Sequence, residues 1–568
     1  MSVRNDLEAA HTAFQSGDLR AADTLCAEIL KSAPNTAKAY QLRALIALKG
    51  NDILAAETHI KAALKIAPDD SECLNTYGNI LKGLGRLDHA IAAYRKSLDV
   101  APNYIQAAQH LGELYLIAKD PIKAGNVFEG ALSHYPDNNT MQLGLLYALK
   151  DAQRTETAMQ VLAELPQGPE TALTAGQLLA SEGRKTEAER AFRTALSHPP
   201  SASMAYTNLV QIIWLRDGYG AAVETIQTLI KTVPEAGFLY IVGADLLSQM
   251  DDNDAAQALL DQCEAKFGPQ PDIDLARANS FIAQNRGEEA FALVNRALTA
   301  RPGDIGLMPT FARAALMTKR FDLALDAAKN VQKFRPNDQF WIAIEATALR
   351  GLGRDHHRLY NYENFVRPYD LEAPPEYRDM DDFLGQLKTA LMERQNNQHH
   401  PIGQSLRQGT QTSADLRFAE SRIIQDFFQA LARPIQDYLG QIGSGVDHPL
   451  TCRSNGTYRI TGAWSVHLTA RGFHVNHVHP EGWISSAFYV DVPEGLADDP
   501  DKKGWIKFGE PPFTVPGMGY EHIVAPKAGR LVLFPSYMWH GTVPISDNAT
   551  RMTLPFDAVP DYGELPDG

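Results

Sequence analysis

The sequence predicts a multidomain protein that is all-α over about its first 355 residues and α+β over the remainder. Prolines recur at intervals of 34 residues in the first part, at Pro34, Pro68, Pro102 and Pro136, and a constant period of that length indicates stacked helical repeats. From Tyr458 onward, short runs of β-branched and aromatic residues alternate with Gly, Pro and Asp. That pattern favours several short strands in an antiparallel sandwich or barrel.

Residues 71–102 show why each period predicts two short helices. Leu74 and Tyr77 belong to one apolar helical stripe, and Ala90 and Tyr94 belong to a second, as expected for two amphipathic helices. Small residues on the stripes let the paired helices approach closely, and the proline that ends the unit cannot continue the second helix. Neighbouring units repeat these offsets, so we expect the pairs to stack along the chain.

This part resembles the tetratricopeptide repeat family, over roughly residues 4–350 and in about ten units. The resemblance implies an α-solenoid whose concave face holds an extended peptide or another protein. A second interpretation stays open, in which the repeats are a spacer that oligomerises or presents the C-terminal part. The sequence does not decide between a monomer and a homodimer.

The composition limits the classes of partner. A net charge of −15 over 568 residues argues against a general binder of nucleic acid or anionic membranes, because phosphate contacts need clustered Lys and Arg. The four cysteines stand far apart without a CxxC pair, which favours reduced thiols. The start lacks a signal-peptide profile and no uninterrupted run of 18 apolar residues follows, so we expect a cytoplasmic protein.

A domain boundary is predicted where the 34-residue period stops. The stretch "YDLEAPPEYRDMDDF" brings Pro, Asp and Glu together as linkers do, and two helices are expected around residues 381–394 and 418–441. We therefore divide the chain into a solenoid over residues 1–355, a helical join over residues 356–450 and a β-rich core over residues 451–568.

Histidines cluster early in the β-rich part, in the segment "HVNHVHP". Side chains two apart in an extended segment point the same way, so His477 and His479 can reach one ion. A third ligand is available at His540, which follows the apolar run "RLVLFPS" and is expected at a strand end. Arg551 and Thr553 share one face of the last strand, a geometry that suits a bound carboxylate.

The order H-x-H, then about 60 residues, then "GRLVLFPS" with a following His and an Arg within a dozen positions resembles the Fe(II)- and 2-oxoglutarate-dependent oxygenase superfamily. The resemblance covers roughly residues 360–560 and implies a double-stranded β-helix, a small jelly roll. It implies three iron ligands, His477, His479 and His540. It also implies that Arg551, helped by Thr553, binds the far carboxylate of the cosubstrate 2-oxoglutarate. The expected reaction is hydroxylation of a protein or peptide recruited by the repeats, with no catalytic residue beyond the metal centre.

The histidine set departs from the common triad of that superfamily, which has two histidines and one carboxylate. His479 stands where the carboxylate is expected, so the site is one positive charge richer, which should favour dianionic 2-oxoglutarate and weaken retention of Fe(II). An alternative set, with Glu481 in place of His477, restores the carboxylate. Two other functions stay open: a zinc-dependent, non-oxidative site, since three neutral histidines also suit Zn²⁺, and a repeat scaffold with a degenerate jelly roll.

Overall fold

The first part of the chain folds into consecutive packed helices, as the period predicts. The computed structural model describes residues 3–395 and 400–561, and contacts divide the chain into two compact units, one up to Leu165 and one from Pro166 to Asp561. The predicted fold class is confirmed, because helical repeats are followed by an antiparallel, sheet-rich part. No described helix is both long and apolar enough to cross a membrane. The domain limits at residues 355 and 450 stay a prediction.

The first unit holds ten described helices that pack against their neighbours in chain order. They are α1 (Val3–Gln15), α2 (Leu19–Ser32), α3 (Ala37–Lys49), α4 (Ile53–Ile66), α5 (Ser71–Gly83), α6 (Leu87–Val100), α7 (Ile105–Ile117), α8 (Pro121–His134), α9 (Asn139–Asp151) and α10 (Thr155–Glu164). Several begin after an Asp or Asn that caps the first turn, as Asp52 accepts the N–H of Ala55 at 3.0 Å. Such caps satisfy N–H groups that lack a partner inside the helix.

Phe128 of α8 shows why the repeats need small residues. Its ring is buried against Gly112 of α7 and Gly144 of α9. A Cβ atom added at Gly112 would lie 2.3 Å from Cζ of the ring, and one added at Gly144 would lie 2.4 Å from Cε1. The glycines therefore let one aromatic side chain join three successive helices.

We expect Gly112→Ala to destabilise the protein by about 1–3 kcal/mol, because the new methyl group overpacks the Phe128 ring. Gly130→Ala on α8 is the matched control: its Cβ would meet nothing within 4 Å, so this change should be neutral or stabilise by up to about 1 kcal/mol through helix propensity. Urea unfolding of the two variants measures the difference. Equal midpoints would contradict this account of the packing.

The second unit continues the repeats and then adds a short helical join. Its solenoid helices are α11 (Pro169–Ser181), α12 (Lys185–Ala195), α13 (Pro199–Asp217), α14 (Tyr219–Thr232), α15 (Gly237–Gln249), α16 (Asn253–Phe267), α17 (Pro271–Ala283), α18 (Gly287–Ala300), α19 (Met308–Met317), α20 (Phe321–Gln332) and α21 (Gln339–Gly351). The join contains α22 (Tyr362–Phe365), α23 (Met380–Met392), α24 (Arg422–Ala430) and α25 (Ala432–Ile442). The helix expected around residues 418–441 is thus two helices. Pro434 lies in the first turn of α25, where its missing N–H is tolerated.

The sheet-rich part contains two antiparallel sheets. Their strands are β1 (Arg367–Asp370), β2 (Leu406–Gln411), β3 (Arg459–Ala463), β4 (Val466–His474), β5 (Ile484–Asp491), β6 (Ile506–Phe508), β7 (His522–Val524), β8 (Arg530–Pro535), β9 (His540–Thr542), β10 (Arg551–Thr553) and β11 (Phe556–Val559). The larger sheet has the order β1-β8-β5-β10-β4-β2, and β11 pairs with both β3 and β5. The smaller sheet has the order β7-β6-β9.

Within the second unit, α21 packs directly against the sheet-rich part. The indole of Trp539 donates its Nε1–H to Thr347 Oγ1 at 2.9 Å, and its ring centroid lies 6.2 Å from that of Phe340. The backbone N–H of Gln339 donates to the carbonyl oxygen of Pro480 at 3.0 Å. The last repeat and the strands therefore share one hydrophobic core.

Residues 400–405 of the join, which we call the crossing segment, contact helix α13 and lead directly into β2. Trp214 of α13 donates its Nε1–H to the carbonyl oxygen of His400 at 2.7 Å, and Gln211 Oε1 accepts the N–H of Ile402 at 2.9 Å. The Ile402 side chain is buried in a hydrophobic cluster with residues of α13, α14, α15, α16 and α17. Side chains of the solenoid thus hold this piece of chain by its backbone and by one apolar anchor.

Candidate metal centre

Two segments bring the three predicted ligands together. His477 and His479 follow the end of β4 at His474, and His540 is the first residue of β9. His477 and His540 form an isolated antiparallel bridge, in which the N–H of each donates to the carbonyl oxygen of the other, at 2.8 and 3.0 Å. Because the two hydrogen bonds join the same residue pair, they fix the backbones side by side.

The three imidazoles converge on one point. Their candidate ligand nitrogens all lie within 4.8 Å of one another. Ring centroids are 4.2 Å apart for His477 and His540, 5.1 Å for His477 and His479 and 5.2 Å for His479 and His540. Three imidazole nitrogens in such a cluster are a donor set for a divalent transition metal. The arrangement fits the predicted ion, and the role of the residues as ligands stays a prediction.

Backbone carbonyl groups orient two of the rings. His477 Nδ1 lies 2.8 Å from the carbonyl oxygen of Val475, and His540 Nδ1 lies 2.9 Å from that of Met538. A carbonyl oxygen can only accept, so each Nδ1 carries the proton of the neutral ring. The lone pair of each ring is therefore on Nε2, the atom left for a metal.

The third ring is oriented by a carboxylate. His479 Nδ1 donates to Asp557 Oδ2, and Asp557 lies on β11. The other carboxylate oxygen, Oδ1, accepts the hydroxyl of Ser485 at 2.7 Å. His479 is thus also left with Nε2 as its free ring nitrogen, but its partner carries a charge where the partners of the other two rings do not.

Burial keeps two of the imidazoles neutral. It lowers the pKa of His477 to about 3 and brings the pKa of His540 well below its usual value, with the neighbouring histidines adding to the effect. Burial alone would also lower the pKa of His479, but the Asp557 carboxylate outweighs it and the net pKa is raised. Neutral imidazoles are the form that binds metals, so His477 and His540 need lose no proton at neutral pH.

Arg551 is a buried cation without a carboxylate partner in the part of the chain that the structure describes. It is 2% exposed, its Nη1 donates to the carbonyl oxygen of Gly504, and its Nε has no hydrogen-bond partner. Its guanidinium carbon lies 5.5 Å from the ring centroid of Tyr489, and Thr553 is buried two residues further along β10. A desolvated cation of this kind suits an anionic ligand.

The charge of Arg551 acts on His474, which lies close to the histidine cluster. The pKa of His474 is held well below its usual value by burial first, then by His477 and then by the charge of Arg551. Arg551 is buried and therefore does not point to open solvent. The site combines neutral nitrogen donors with one buried positive charge.

Comparison with known families assigns this region. A family model described as "Putative 2OG-Fe(II) oxygenase" matches residues 462–557, the stretch that contains all three histidines and Arg551. Models of the tetratricopeptide repeat match residues 7–71, 173–236 and 242–305, and residues 71–104. The chain carries tetratricopeptide repeats and a C-terminal domain that matches the 2OG-Fe(II) oxygenase model, which we call the oxygenase domain. The two family resemblances predicted from the sequence are thereby confirmed.

The similar proteins each match only part of this chain. The chain is 25% identical over 162 residues to tetratricopeptide repeat protein 8 of Caenorhabditis elegans, a match that spans 28% of this chain and 32% of that protein. A tetratricopeptide repeat protein from Parabacteroides merdae has 16% identity and a TM-score of 0.32, over 55% of this chain and 98% of its own. The O-GlcNAc transferase of Thermobaculum terrenum has 23% identity and a TM-score of 0.22, over 23% and 26% of the respective chains. None of these likenesses assigns a reaction to the oxygenase domain.

The oxygenase domain does not bring Glu481 into the cluster. Glu481 is exposed in the turn after Pro480, and its charge adds to the effect of burial in raising the pKa of Asp338, at the start of α21. Among the described residues, the group that can hold a metal consists of the three histidines. The alternative ligand set with Glu481 therefore finds no support in this geometry.

Sequence reasoning missed two polar residues of the oxygenase domain. One is Asp557, which stands in the apolar run "LPFDAV"; an acidic residue inside a strand is a signal, because buried carboxylates need a partner. The other is Ser405, whose hydroxyl lies 3.0 Å from His474 Nδ1 and 3.5 Å from His477 Nε2. Ser405 lies in a polar loop that carries no comparable signal.

Proposed function

We propose that this protein is an Fe(II)- and 2-oxoglutarate-dependent dioxygenase that hydroxylates a polypeptide recruited by its repeats. One observation carries the proposal: three oriented imidazoles converge in the same domain that buries a guanidinium without a carboxylate partner among the described residues. The family match supports it. A metal and a dicarboxylate together would satisfy the nitrogen donors and the guanidinium.

The residues present fit both groups. His477, His479 and His540 would hold the metal through Nε2, since each Nδ1 is already engaged. Arg551 and Thr553 would bind the far carboxylate of 2-oxoglutarate. When bound, Fe(II) and 2-oxoglutarate supply the oxidising chemistry, in which oxygen is consumed and 2-oxoglutarate is converted to succinate and carbon dioxide.

The protein's own contribution is to bind and orient the metal and 2-oxoglutarate and to exclude water from the site. Phe534 is buried with its ring centroid 4.6 Å from that of His540, and the ring of Trp464 stacks on His479 at 6.0 Å, so apolar rings border the histidines. Arg551 contributes the charge that selects a dianion. Because His477 and His540 stay neutral, they add no positive charge that would repel the metal.

The repeats supply the argument for a polypeptide substrate. Tetratricopeptide repeats generally mediate protein–protein interaction, and helix α21 packs against the oxygenase domain in the same unit. A segment of a partner that lies on the repeats of this unit is therefore held on the body that carries the metal centre. High local concentration of the target residue is the expected benefit.

The decisive experiment is an anaerobic titration with Fe(II) and 2-oxoglutarate. We expect the wild-type protein to develop a visible metal-to-ligand charge-transfer absorption band. His540→Ala should lose this band, because one of the three proposed metal ligands is gone. His467→Ala is the matched control: His467 lies on β4, outside the cluster, so its band should be unchanged.

An assay of succinate formation with candidate polypeptides then tests turnover. Catalysis with zinc and without any need for 2-oxoglutarate would contradict this proposal and favour a zinc-dependent, non-oxidative enzyme. An unchanged band in His540→Ala would show that the metal binds elsewhere.

A further inference from the structure

We propose that Asp557 is a positioning residue that gives the three-histidine set the negative charge that a carboxylate ligand supplies in the common triad. The inference rests on the proposed function, because it takes His479 to be a metal ligand. It concerns a residue that makes no contact with the metal itself and acts through the ring of His479.

The carboxylate is held by both of its oxygen atoms. Oδ2 accepts the Nδ1–H of His479, and Oδ1 accepts the hydroxyl of Ser485 at 2.7 Å. The hydroxyl of Ser485 also lies 2.9 Å from that of Ser536. With two fixed partners, the carboxylate cannot rotate away from the ring, so the ring is held in one orientation.

The backbone holds the same three elements in place. Asp557 of β11 pairs with Ser485 of β5 in the sheet, and the N–H of His479 donates to the carbonyl oxygen of Ser536 at 3.1 Å. Gly482 makes the turn after His479 against Ser536, where an added Cβ would lie 2.3 Å from the serine Oγ. Ring, carboxylate and both hydroxyl groups therefore belong to one rigid arrangement.

The charge of Asp557 is directed at one ring. Among the described residues, no lysine or arginine forms an ion pair with this carboxylate, which pairs with the imidazole of His479. Both side chains are 17% exposed, so solvent screens the pair only weakly. The Nδ1 atoms of His477 and His540 donate to neutral carbonyl groups instead.

The carboxylate partner of His479 compensates for the difference between this histidine set and the common triad of two histidines and one carboxylate. Three neutral imidazoles bind Fe(II) without any anionic ligand, whereas an imidazole that donates to a carboxylate is a more basic, stronger ligand. His479, at the position where the common triad has its carboxylate, is the histidine with an acidic partner. The negative charge that the three-histidine set lacks is thus supplied by Asp557, which contacts the proposed ligand His479.

The test is the affinity of the full-length protein for Co(II), used as a spectroscopic probe in place of Fe(II). Asp557→Asn removes the charge and nearly preserves the shape, and we expect it to bind Co(II) about 10- to 100-fold more weakly, with a shifted cobalt absorption spectrum. Asp557→Glu restores the charge and should recover part of the affinity. Asp491→Asn on β5, which loses an ion pair with Lys388 away from the cluster, is the control and should bind as the wild type does.

The outcomes separate this inference from the proposed function. If the wild type binds no Co(II), the proposed metal centre fails; if Asp557→Asn binds Co(II) as tightly as the wild type, the role of Asp557 fails alone. Should Asp557→Asn not fold, Ser485→Ala tests the same point, because it frees Oδ1 and should weaken binding several-fold. Unchanged Co(II) affinity in Ser485→Ala would then overturn the proposal.

Discussion

Arg551→Met is expected to weaken the binding of 2-oxoglutarate by about 30- to 1,000-fold, the equivalent of about 2–4 kcal/mol. The substitution removes a buried, charge-assisted hydrogen-bond donor from the carboxylate of the ligand. Calorimetry of the Fe(II)-loaded protein under anaerobic conditions measures the effect. Arg530→Met is the matched control, because Arg530 pairs with Asp370 at the edge of the same domain and should leave the affinity unchanged.

In the absence of 2-oxoglutarate, the same substitution should leave the stability of the fold unchanged or increase it. Arg551 is desolvated, its Nε has no partner and no carboxylate among the described residues compensates its charge. Replacing an uncompensated buried charge by an apolar side chain of similar volume is neutral or stabilising. Thermal unfolding without ligand should therefore show an equal or higher midpoint in Arg551→Met. Equal affinity for 2-oxoglutarate in the two proteins would refute the assignment of Arg551.

Trp539→Ala is expected to destabilise the second unit by about 3–5 kcal/mol, the range for removing a large buried aromatic side chain. The indole is 2% exposed, lies between Phe340 of α21 and Phe513, with ring centroids 6.2 and 6.1 Å away, and donates to Thr347. The cavity would therefore open between the last repeat and the strands. Urea unfolding with a metal chelator present measures the loss of packing apart from any loss of metal.

Thr347→Val is the companion variant, since it removes the hydrogen-bond acceptor and leaves the ring in place. It should cost about 1–3 kcal/mol, the penalty of a buried N–H without a partner. A loss below 1 kcal/mol in Trp539→Ala would show that the contact between α21 and the strands contributes little to stability.

The repeats could be predicted because their pattern is local. A 34-residue period, the stripe that contains Tyr77 and the small residues opposite Phe128 are all visible within one or two units, and each helix pair buries its own apolar face. The break at Leu431 between α24 and α25 was missed because apolar periodicity continues through it. A first-turn proline such as Pro434 was the available signal.

The metal centre could be predicted in part. The two-residue spacing of His477 and His479 and the strand-end position of His540 are sequence features, and family resemblance supplied Arg551. Asp557 lies 78 positions after His479 in the chain. Their contact depends on the register of β11 against β5. Pairing over such distances is set by tertiary packing, which no local pattern reports.

The crossing segment bears on the proposed binding of a polypeptide substrate by the repeats. Helix α13 already holds residues 400–402 of its own chain through Trp214 and Gln211, and Ile402 is buried in the core of the neighbouring repeats. These residues cover part of the surface of α13, so the proposed polypeptide substrate would have to displace them or bind to other repeats. Three residues downstream of Ile402, Ser405 Oγ lies 3.0 Å from His474 Nδ1, so this short segment links the surface of the solenoid to the neighbourhood of the histidine cluster.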